Sequence, residues 1–571
     1  MGLCDNDPSP MASAPLQATA LADTRPAGDL RRRLQLNFGR LHDPEFSFEA
    51  ATTAFTVREA PGDWLGRTLL GLTLDAQVLG REAPRAEETV RRWPEATNGH
   101  GYVGRVLPPG RGDENQIGGH NGMLRGLCEY YLWKQDPRAL AAIRGIVTNL
   151  MLPSRELYAQ YPDSPLDKLK GGPVSGLTIE NDGAWVGLST DIGTVFFTLD
   201  SLTQAYLIDP TPALRDLVET MIARYAQLDI LRLGAQTHAT LTTLRGILRW
   251  YLEVDPRAEL LALVRTRFQS YLDLARTEHH GNFNWFGRPE WTESCAIVDS
   301  FMLAVQLWSV TREPVYLSEA HRIYHNALCH HQRPNGGFGC DYCTGAADQR
   351  FVQAFKWFEA PWCCTMRGAE GLACAARYAA FTDPARPREA WLPFYFDGAV
   401  TIRARGGTLG LTVASQYPYA GRVTYSVTQA GSGGPWKLHF FVPPGVAAEA
   451  LTVRRAGQVL PVTREAGFVV VATELAAEDV LEVEFPIALA AEPARYTSVF
   501  PSGVHFMHGP LLLAAETETA VPAPAAGDLR PLGGGRYQCR RTQVLLTPID
   551  GLTYLPEAVA RTRRLQAVFT P

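Results

Sequence analysis

The chain has 571 residues, of which 46% are hydrophobic and 20% charged, and its formal net charge is −5. It is too long for one domain, so two or three are expected, with a composition that is neither fibrous nor disordered. There is no basic footprint for nucleic acid. No apolar run in the sequence approaches the roughly 18 residues that a membrane crossing takes, so neither partner is expected.

Residues 1–30 are rich in Ala, Pro, Asp and Ser and lack a hydrophobic signal core, which predicts a flexible tail. From 31 to about 385 the apolar spacing is helical, as in Leu124, Leu127, Tyr130 and Tyr131, or Leu241, Leu244, Ile247, Leu248 and Tyr251. Turns recur at Ala83-Pro84, Asp136-Pro137, Asp209-Pro210, Asp255-Pro256, Glu313-Pro314 and Asp383-Pro384. Proline at the junction of two helices is the expected punctuation. Six helix–turn–helix units with irregular spacing predict a closed (α/α)6 barrel rather than an open solenoid.

The polar residues follow the same repeat. Asp63, His120, Asp191, His238, Glu293 and Cys363 each lie 17 to 21 residues before a turn proline. If the helices they begin form the inner ring, all six gather at one mouth of the barrel. A lone His at a helix start is ordinarily a cap or a satisfied core group; six polar residues at one phase are harder to dismiss. Trp64, Trp185, Trp285, Trp291 and Trp362 lie close by, and aromatic faces beside carboxylates suit a sugar ring, though such aromatics also make ordinary core.

From 386 to 495 the period becomes alternating, as in Val400-Thr-Ile-Arg-Ala-Arg and Trp436-Lys-Leu-His-Phe-Phe-Val, which predicts a β-sandwich. A second β-rich region is expected over 496–571. Both are read as bracing the barrel.

The chemistry concentrates in two stretches. Trp362-Cys363-Cys364 precedes a helical run from Gly368 to Ala380, where helix-end N–H groups lower a thiol pKa. Vicinal cysteines rarely bond to each other. Glu293-Ser294-Cys295 supplies a carboxylate and a further thiol, and one Glu with three Cys is a plausible Zn²⁺ ligand set. The bland alternative is a pair of small buried residues behind Trp362. The ten cysteines are otherwise too sparse for a disulfide scaffold, so a reducing, cytoplasmic setting is expected.

Taken in order, Asp63-Trp-Leu-Gly-Arg67, Thr237-His-Ala239, Glu293-Ser-Cys-Ala296, Trp362-Cys-Cys364 and His508-Gly-Pro-Leu511 resemble glycoside hydrolase family 127, the β-L-arabinofuranosidases, and the uncharacterised proteins related to it. The resemblance spans nearly the whole chain beyond the tail, and Glu-x-Cys followed by Cys-Cys is its most specific part. It implies an (α/α)6 barrel followed by β-sandwich domains. It also implies zinc held by Glu293, Cys295, Cys363 and Cys364, with Cys363 as nucleophile of a retaining exo-glycosidase. His120, Asp191, His238, Trp285 and Tyr342 are the expected substrate-binding residues, and the expected partner is an L-arabinofuranoside-like carbohydrate, with a homodimer left open.

The pattern departs at the general acid/base. The family has a Glu in a Gly-Glu-x-Phe stretch about 16 residues before Glu-x-Cys. Here the region reads Glu278-His-His-Gly-Asn-Phe, with Asn282 after the glycine. Glu278 is therefore the expected acid/base, with Glu290 and Glu359 as alternatives. Cys340-Asp-Tyr-Cys343 is expected to be pocket wall or packing. Two other classes fit the same residues: a carbohydrate lyase or epimerase on an (α/α) barrel, and a non-catalytic sugar-binding protein with a structural zinc site.

Overall fold

The structure, a computed structural model, describes residues 14–54, 60–163, 175–288, 292–342, 352–353, 359–431, 433–495, 502–552 and 564–571. Its first part is a double ring of helices. The outer and inner helices alternate as α1 (Gly28–Arg40), α2 (Asp63–Leu79), α3 (Pro84–Ala96), α4 (Glu114–Lys134), α5 (Pro137–Ile146), α6 (Thr198–Ile208), α7 (Pro212–Gln227), α8 (Thr237–Glu253), α9 (Ala258–Leu274), α10 (Ser294–Thr311), α11 (Pro314–Arg322) and α12 (Cys364–Arg377).

Inner helices α2, α4, α6, α8, α10 and α12 each pack on the next, and α12 packs back on α2, which closes the ring. Their burial explains their composition. Nearly every position of α10 is buried, so it reads as apolar all round. By length and hydropathy α10 could cross a membrane; the expectation that no apolar run is long enough is corrected, and the helix is instead core of the barrel.

Punctuation follows the turns. Pro84, Pro137 and Pro314 are first residues of outer helices, where a missing N–H costs nothing. The Asp136 side chain accepts from the Arg138 N–H and Thr211 from the Leu214 N–H, capping α5 and α7. The sixth turn departs from the repeat. After α12, Asp383-Pro384 leads to strand Glu389–Leu392, not to a helix. The outer partner of α12 is α1, from the other end of the chain.

The described part of the expected tail is therefore ordered. Gln17–Ala18 pairs with Phe381–Thr382, and Thr24–Pro26 pairs with Gly398–Val400, so the chain start is stitched into the β-sandwich.

That sandwich packs two mostly antiparallel sheets around Trp436, Leu438, Phe440, Val423, Tyr425 and Leu481. Alternation in Trp436–Phe441 sets its register against Phe468–Thr473, with Leu438 opposite Val471 and Phe440 opposite Val469. A third sheet runs in the order Leu489–Pro493, Val504–His508, Leu511–Thr517, Leu545–Pro548, Arg536–Cys539, Leu529–Gly533. It is tied to the barrel by Asn326, whose amide donates to the Pro510 carbonyl (2.8 Å) and accepts from the Leu512 N–H (2.7 Å).

The centre of the barrel is charged. Arg125, Arg245 and Arg367 interleave with Asp200, Asp299 and Glu370, all buried. Arg245 lies 2.7 Å from Asp299 and 3.1 Å from Glu370, and Arg125 lies 3.0 Å from Asp200 and 2.9 Å from Glu370. This network supports one wall of the cavity described next.

Candidate active site and metal centre

Asp63 opens α2, His238 is the second residue of α8, and Glu293 and Cys363 are the residues just before α10 and α12. Because these helices converge at one rim, the four residues and Asp191 line one cavity of about 370 Å³. Its wall also carries Arg67, Gln236, Trp362, Cys340 and Cys364.

Glu293, Cys363 and Cys364 in its lining and the fully buried Cys295 bring one donor atom each within 4.8 Å of one another, a cluster that could hold a metal ion. Cys363 Sγ lies 2.7 Å from Cys295 Sγ and 3.2 Å from Glu293 Oε1. Three thiols and a carboxylate are the soft, anionic donor set that four-coordinate zinc takes, and four ligands 2.0–2.3 Å from an ion stand roughly 3.3–3.8 Å apart. The residues therefore fit the ion once Cys295 and Cys363, 2.7 Å apart, open by about 1 Å around it. Cys340 adds a further sulfur 3.7 Å from Cys364 Sγ.

The electrostatics single out one thiol. Hydrogen bonding from Cys295 and Cys364, reinforced by the Arg67 guanidinium, holds Cys363 well below the usual thiol range, whereas burial pushes Cys295 and Cys364 up. Arg67 Nη1 sits 3.4 Å from both Cys295 Sγ and Cys363 Sγ, and its Nε donates to Asp63 at 2.8 Å. Burial, then the negative charge of Cys363, pushes the Glu293 carboxyl well above its ordinary value. Gln236 donates to its second oxygen at 3.3 Å.

His238 is set by a carboxylate behind it. Its Nδ1 lies 2.7 Å from Asp299 Oδ2, and Asp299 also accepts from Thr242 (2.6 Å), Arg245 (2.7 Å) and Arg367 (2.5 Å). Although burial opposes it, Arg367 and these partners hold Asp299 well below the usual carboxylate range. Burial lowers the His238 pKa, so the ring is neutral, with Nδ1–H donating to Asp299 and Nε2 left as the acceptor.

Asp191 lies on the strand-to-helix connection before α6. Its Oδ2 accepts from the Ser175 hydroxyl and the Gly176 N–H, both at 2.7 Å. Burial pushes its pKa up to about 6 despite these donors.

Three expected roles do not match the geometry. Glu278 is not in this cavity: it accepts from the Arg495 N–H at 3.1 Å and lies 3.6 Å from His505 Nδ1, in a separate cleft against the third sheet. The loop from Ala275 turns it toward the C-terminal region while Asn282 turns inward, its Oδ1 3.4 Å from the Glu293 N–H. His120 sits a turn and a half into α4 and is fully buried. Its Nδ1 donates to the Gln116 carbonyl (2.7 Å) and its Nε2 accepts from the Val103 N–H (3.0 Å), so neither nitrogen can meet a ligand. Trp285 is buried behind Asp191 beneath Arg288 rather than exposed to the cavity.

Of the alternatives, Glu359 is engaged by Arg40 (3.0 Å), Thr365 (2.6 Å) and Asn335 (2.7 Å) away from the cavity. Glu290, Trp291, Cys343 and the side chain of Tyr342 lie outside the described residues. The helical phase did point to Asp191, but as a sugar contact. Its raised pKa follows from burial, which no sequence period reports.

No family profile matches the chain, and no curated protein matches it either. Solved structures do. A GH127 β-arabinofuranosidase is 12% identical with a TM-score of 0.69, and the match covers 98% of each chain. A GH127 β-L-arabinofuranosidase from Geobacillus stearothermophilus T6 is 11% identical with a TM-score of 0.67, covering 96% of this chain and 99% of that one. A further glycoside hydrolase matches at a TM-score of 0.65 and 11% identity, over 97% of this chain and 95% of the other. The protein thus has the fold of the family 127 β-arabinofuranosidases, from barrel to last sheet.

Proposed function

We propose that this protein is a retaining exo-glycoside hydrolase that acts on an L-arabinofuranoside-like sugar with Cys363 as its nucleophile. The observation that carries the proposal is Cys363, a thiol of depressed pKa lining a barrel cavity, whose sulfur converges with donor atoms of Glu293, Cys295 and Cys364 to within 4.8 Å of one another. Likeness of fold to β-L-arabinofuranosidases supports the sugar class. A bound zinc ion would supply the positive charge that keeps these thiols deprotonated near neutral pH.

The residues of the chain divide the work. His238 Nε2 and Asp63 accept sugar hydroxyls, and Arg67 holds the thiolate charge in place. The Cys363 sulfur forms a bond to the anomeric carbon as the bond to the leaving oxygen breaks. Protonated Asp191, whose pKa of about 6 suits exchange near neutrality, gives its proton to that oxygen. A water then adds to the anomeric carbon while Asp191 takes back a proton. The C–S bond breaks and the thiolate returns, so configuration is retained over two inversions. Eight cysteines among the described residues are all free thiols, which supports a reducing, cytoplasmic setting.

The test is covalent labelling. A haloacetamide-bearing arabinofuranosyl analogue should alkylate Cys363, located by peptide mass spectrometry, and product NMR on a panel of furanosides and pyranosides should show a β-configured hydrolysis product. A label on a carboxylate would refute the thiolate route, an unsaturated product would make the protein a lyase, and metal without turnover would leave a structural site.

A further inference from the structure

Behind the thiolate cluster lies a second convergence of donors on different elements. His279 comes from the loop after α9, His330 and His331 from the short helix Cys329–His331, and Asp341 from the strand Asp341–Tyr342. All four side chains are buried. One donor atom from each of His279, His331 and Asp341 falls within 4.8 Å of the others, and the His279 and His331 rings stack with centroids 5.7 Å apart.

Proton placement gives the cluster its meaning. His331 Nδ1 lies 3.0 Å from the Gly339 carbonyl and 3.1 Å from Ser294 Oγ, and the Ser294 hydroxyl itself donates to that same carbonyl at 2.7 Å. The His331 proton must therefore be on Nδ1. His330 Nδ1 likewise donates to the Ile549 carbonyl at 3.0 Å. A neutral imidazole carries only one N–H. Both Nε2 lone pairs are thus turned toward one carboxylate oxygen, Asp341 Oδ2, at 3.1 Å from His330 and 3.2 Å from His331. Lone pairs facing a carboxylate at that range repel unless a proton or a metal ion stands between them. Two bonds of about 2.0–2.1 Å meeting at roughly 100° hold their donor atoms about 3.1–3.2 Å apart. Nδ1–H donation to a backbone carbonyl is also the arrangement by which metal-binding histidines are oriented. Among the described residues, Arg333 Nη2 lies 3.0 Å from Asp341 Oδ1, Thr277 Oγ1 lies 3.1 Å from His279 Nδ1, and Thr292 Oγ1 lies a long 3.4 Å from His331 Nε2.

We propose that His331, Asp341 and His279, with His330 beside them, form a second metal site for a divalent transition ion of zinc type, distinct from the Glu293–Cys cluster. The nitrogen-rich donor set favours such ions over Mg²⁺ or Ca²⁺. Its place gives it a bracing role. Through Ser294 it fixes the start of α10 between Glu293 and Cys295, through Asp341 it fixes the neighbour of Cys340, and through His330 it reaches the third sheet.

Because the donors are buried, the ion is loaded as the chain folds, so the full chain is expressed in medium supplemented with Co²⁺. Metal content is then counted by elemental analysis, and the near-ultraviolet spectrum separates the sites, since only thiolate ligation gives intense sulfur-to-cobalt charge transfer. Wild type should carry two equivalents. Cys295→Ser/Cys363→Ser should keep one and lose the charge-transfer band; His331→Gln should also keep one but retain the band. A Cys double variant that is folded by circular dichroism yet metal-free overturns the proposal, as does His331→Gln with two equivalents. If His331→Gln fails to fold, the Cys double variant decides alone. A wild type without the charge-transfer band but with one ion lost in His331→Gln would sink the thiolate centre and leave this site standing.

Discussion

At the scale of single residues, the cavity separates two cysteines that are adjacent in the chain. Cys363 is half-buried with a depressed pKa, while Cys364 is buried and pushed up. On the proposed mechanism, Cys363→Ser removes the thiolate that attacks carbon. Turnover should fall by three or more orders of magnitude, more than about 4 kcal/mol at 1.36 kcal/mol per tenfold. Cys364→Ser should recover much of its activity in excess Zn²⁺, and steady-state rates for both, with and without added metal, check the contrast. Asp191→Asn should abolish hydrolysis of sugars with poor leaving groups while sparing activated aryl glycosides, because only the former need a proton donor. The wild-type kcat/KM should decline above about pH 6 as Asp191 loses its proton, and that limb should vanish in the variant. The linkage runs the same way for stability. A carboxyl with a folded pKa raised from 3.8 to about 6 favours the fold below 3.8, and that contribution is lost as pH rises through about 6. Asp191→Asn should accordingly flatten that part of the stability profile, by up to about 3 kcal/mol, read by urea denaturation across pH.

At the scale of elements, the ring depends on how closely inner helices approach. α2 and α4 meet along Gly66, Gly122 and Gly126. A Cβ on Gly66 would stand 2.0 Å from the Met123 nitrogen, and one on Gly126 would stand 2.7 Å from the Gly66 carbonyl oxygen. Both obstacles are backbone and cannot swing aside. Gly66→Ala should therefore destabilise the fold by about 1–3 kcal/mol or more and loosen the wall that carries Asp63 and Arg67, measured as a fall in Tm. The charged centre is equally exacting. Arg245 is fully buried between Asp299 and Glu370, so Arg245→Leu would leave the buried network one guanidinium short, with Asp299 held by Arg367 and Glu370 by Arg125 and Arg367. A cost of about 3–5 kcal/mol is expected, with His238 released from its fixed tautomer as Asp299 shifts. Denaturant unfolding should show the first, and a changed His238 NMR titration the second.

At the scale of the molecule, the metal donors and the sheet contacts join parts far apart in the chain. Glu293 and Cys295 stand at the start of α10 while Cys363 and Cys364 stand at the start of α12, so an ion held between them would clamp two inner helices. Chelation of purified protein should lower Tm and restore it on Zn²⁺ addition, with the shift growing with free metal as binding to the native state alone requires. An unchanged Tm after metal removal, verified by elemental analysis, would argue against the clamp.

Much of this was legible in the sequence because it is local. Apolar spacing reports which face of a helix or strand is buried, and the Pro turns report where one helix yields to the next. Those two signals sufficed for six inner helices, for the change to alternating strands near 386, and for placing Asp63, Asp191, His238, Glu293 and Cys363 at one rim. Glu-x-Cys and Cys-Cys were equally visible, since each pair sits within one turn of a helix start. What tertiary structure alone decided is non-local. That α1 closes the sixth unit, with Gln17–Ala18 and Thr24–Pro26 joining the sandwich, depends on pairing across more than 350 positions, which no period records. Glu278 and Asp191 are the same kind of group in a sequence. Only the turn of the 275–288 loop, and the burial that lifts one carboxyl to about 6, separates a contact with the third sheet from an acid in the cavity. His120 kept the helical phase yet lies too deep in α4 to reach the mouth, because phase fixes the face a residue occupies and not its height along the barrel.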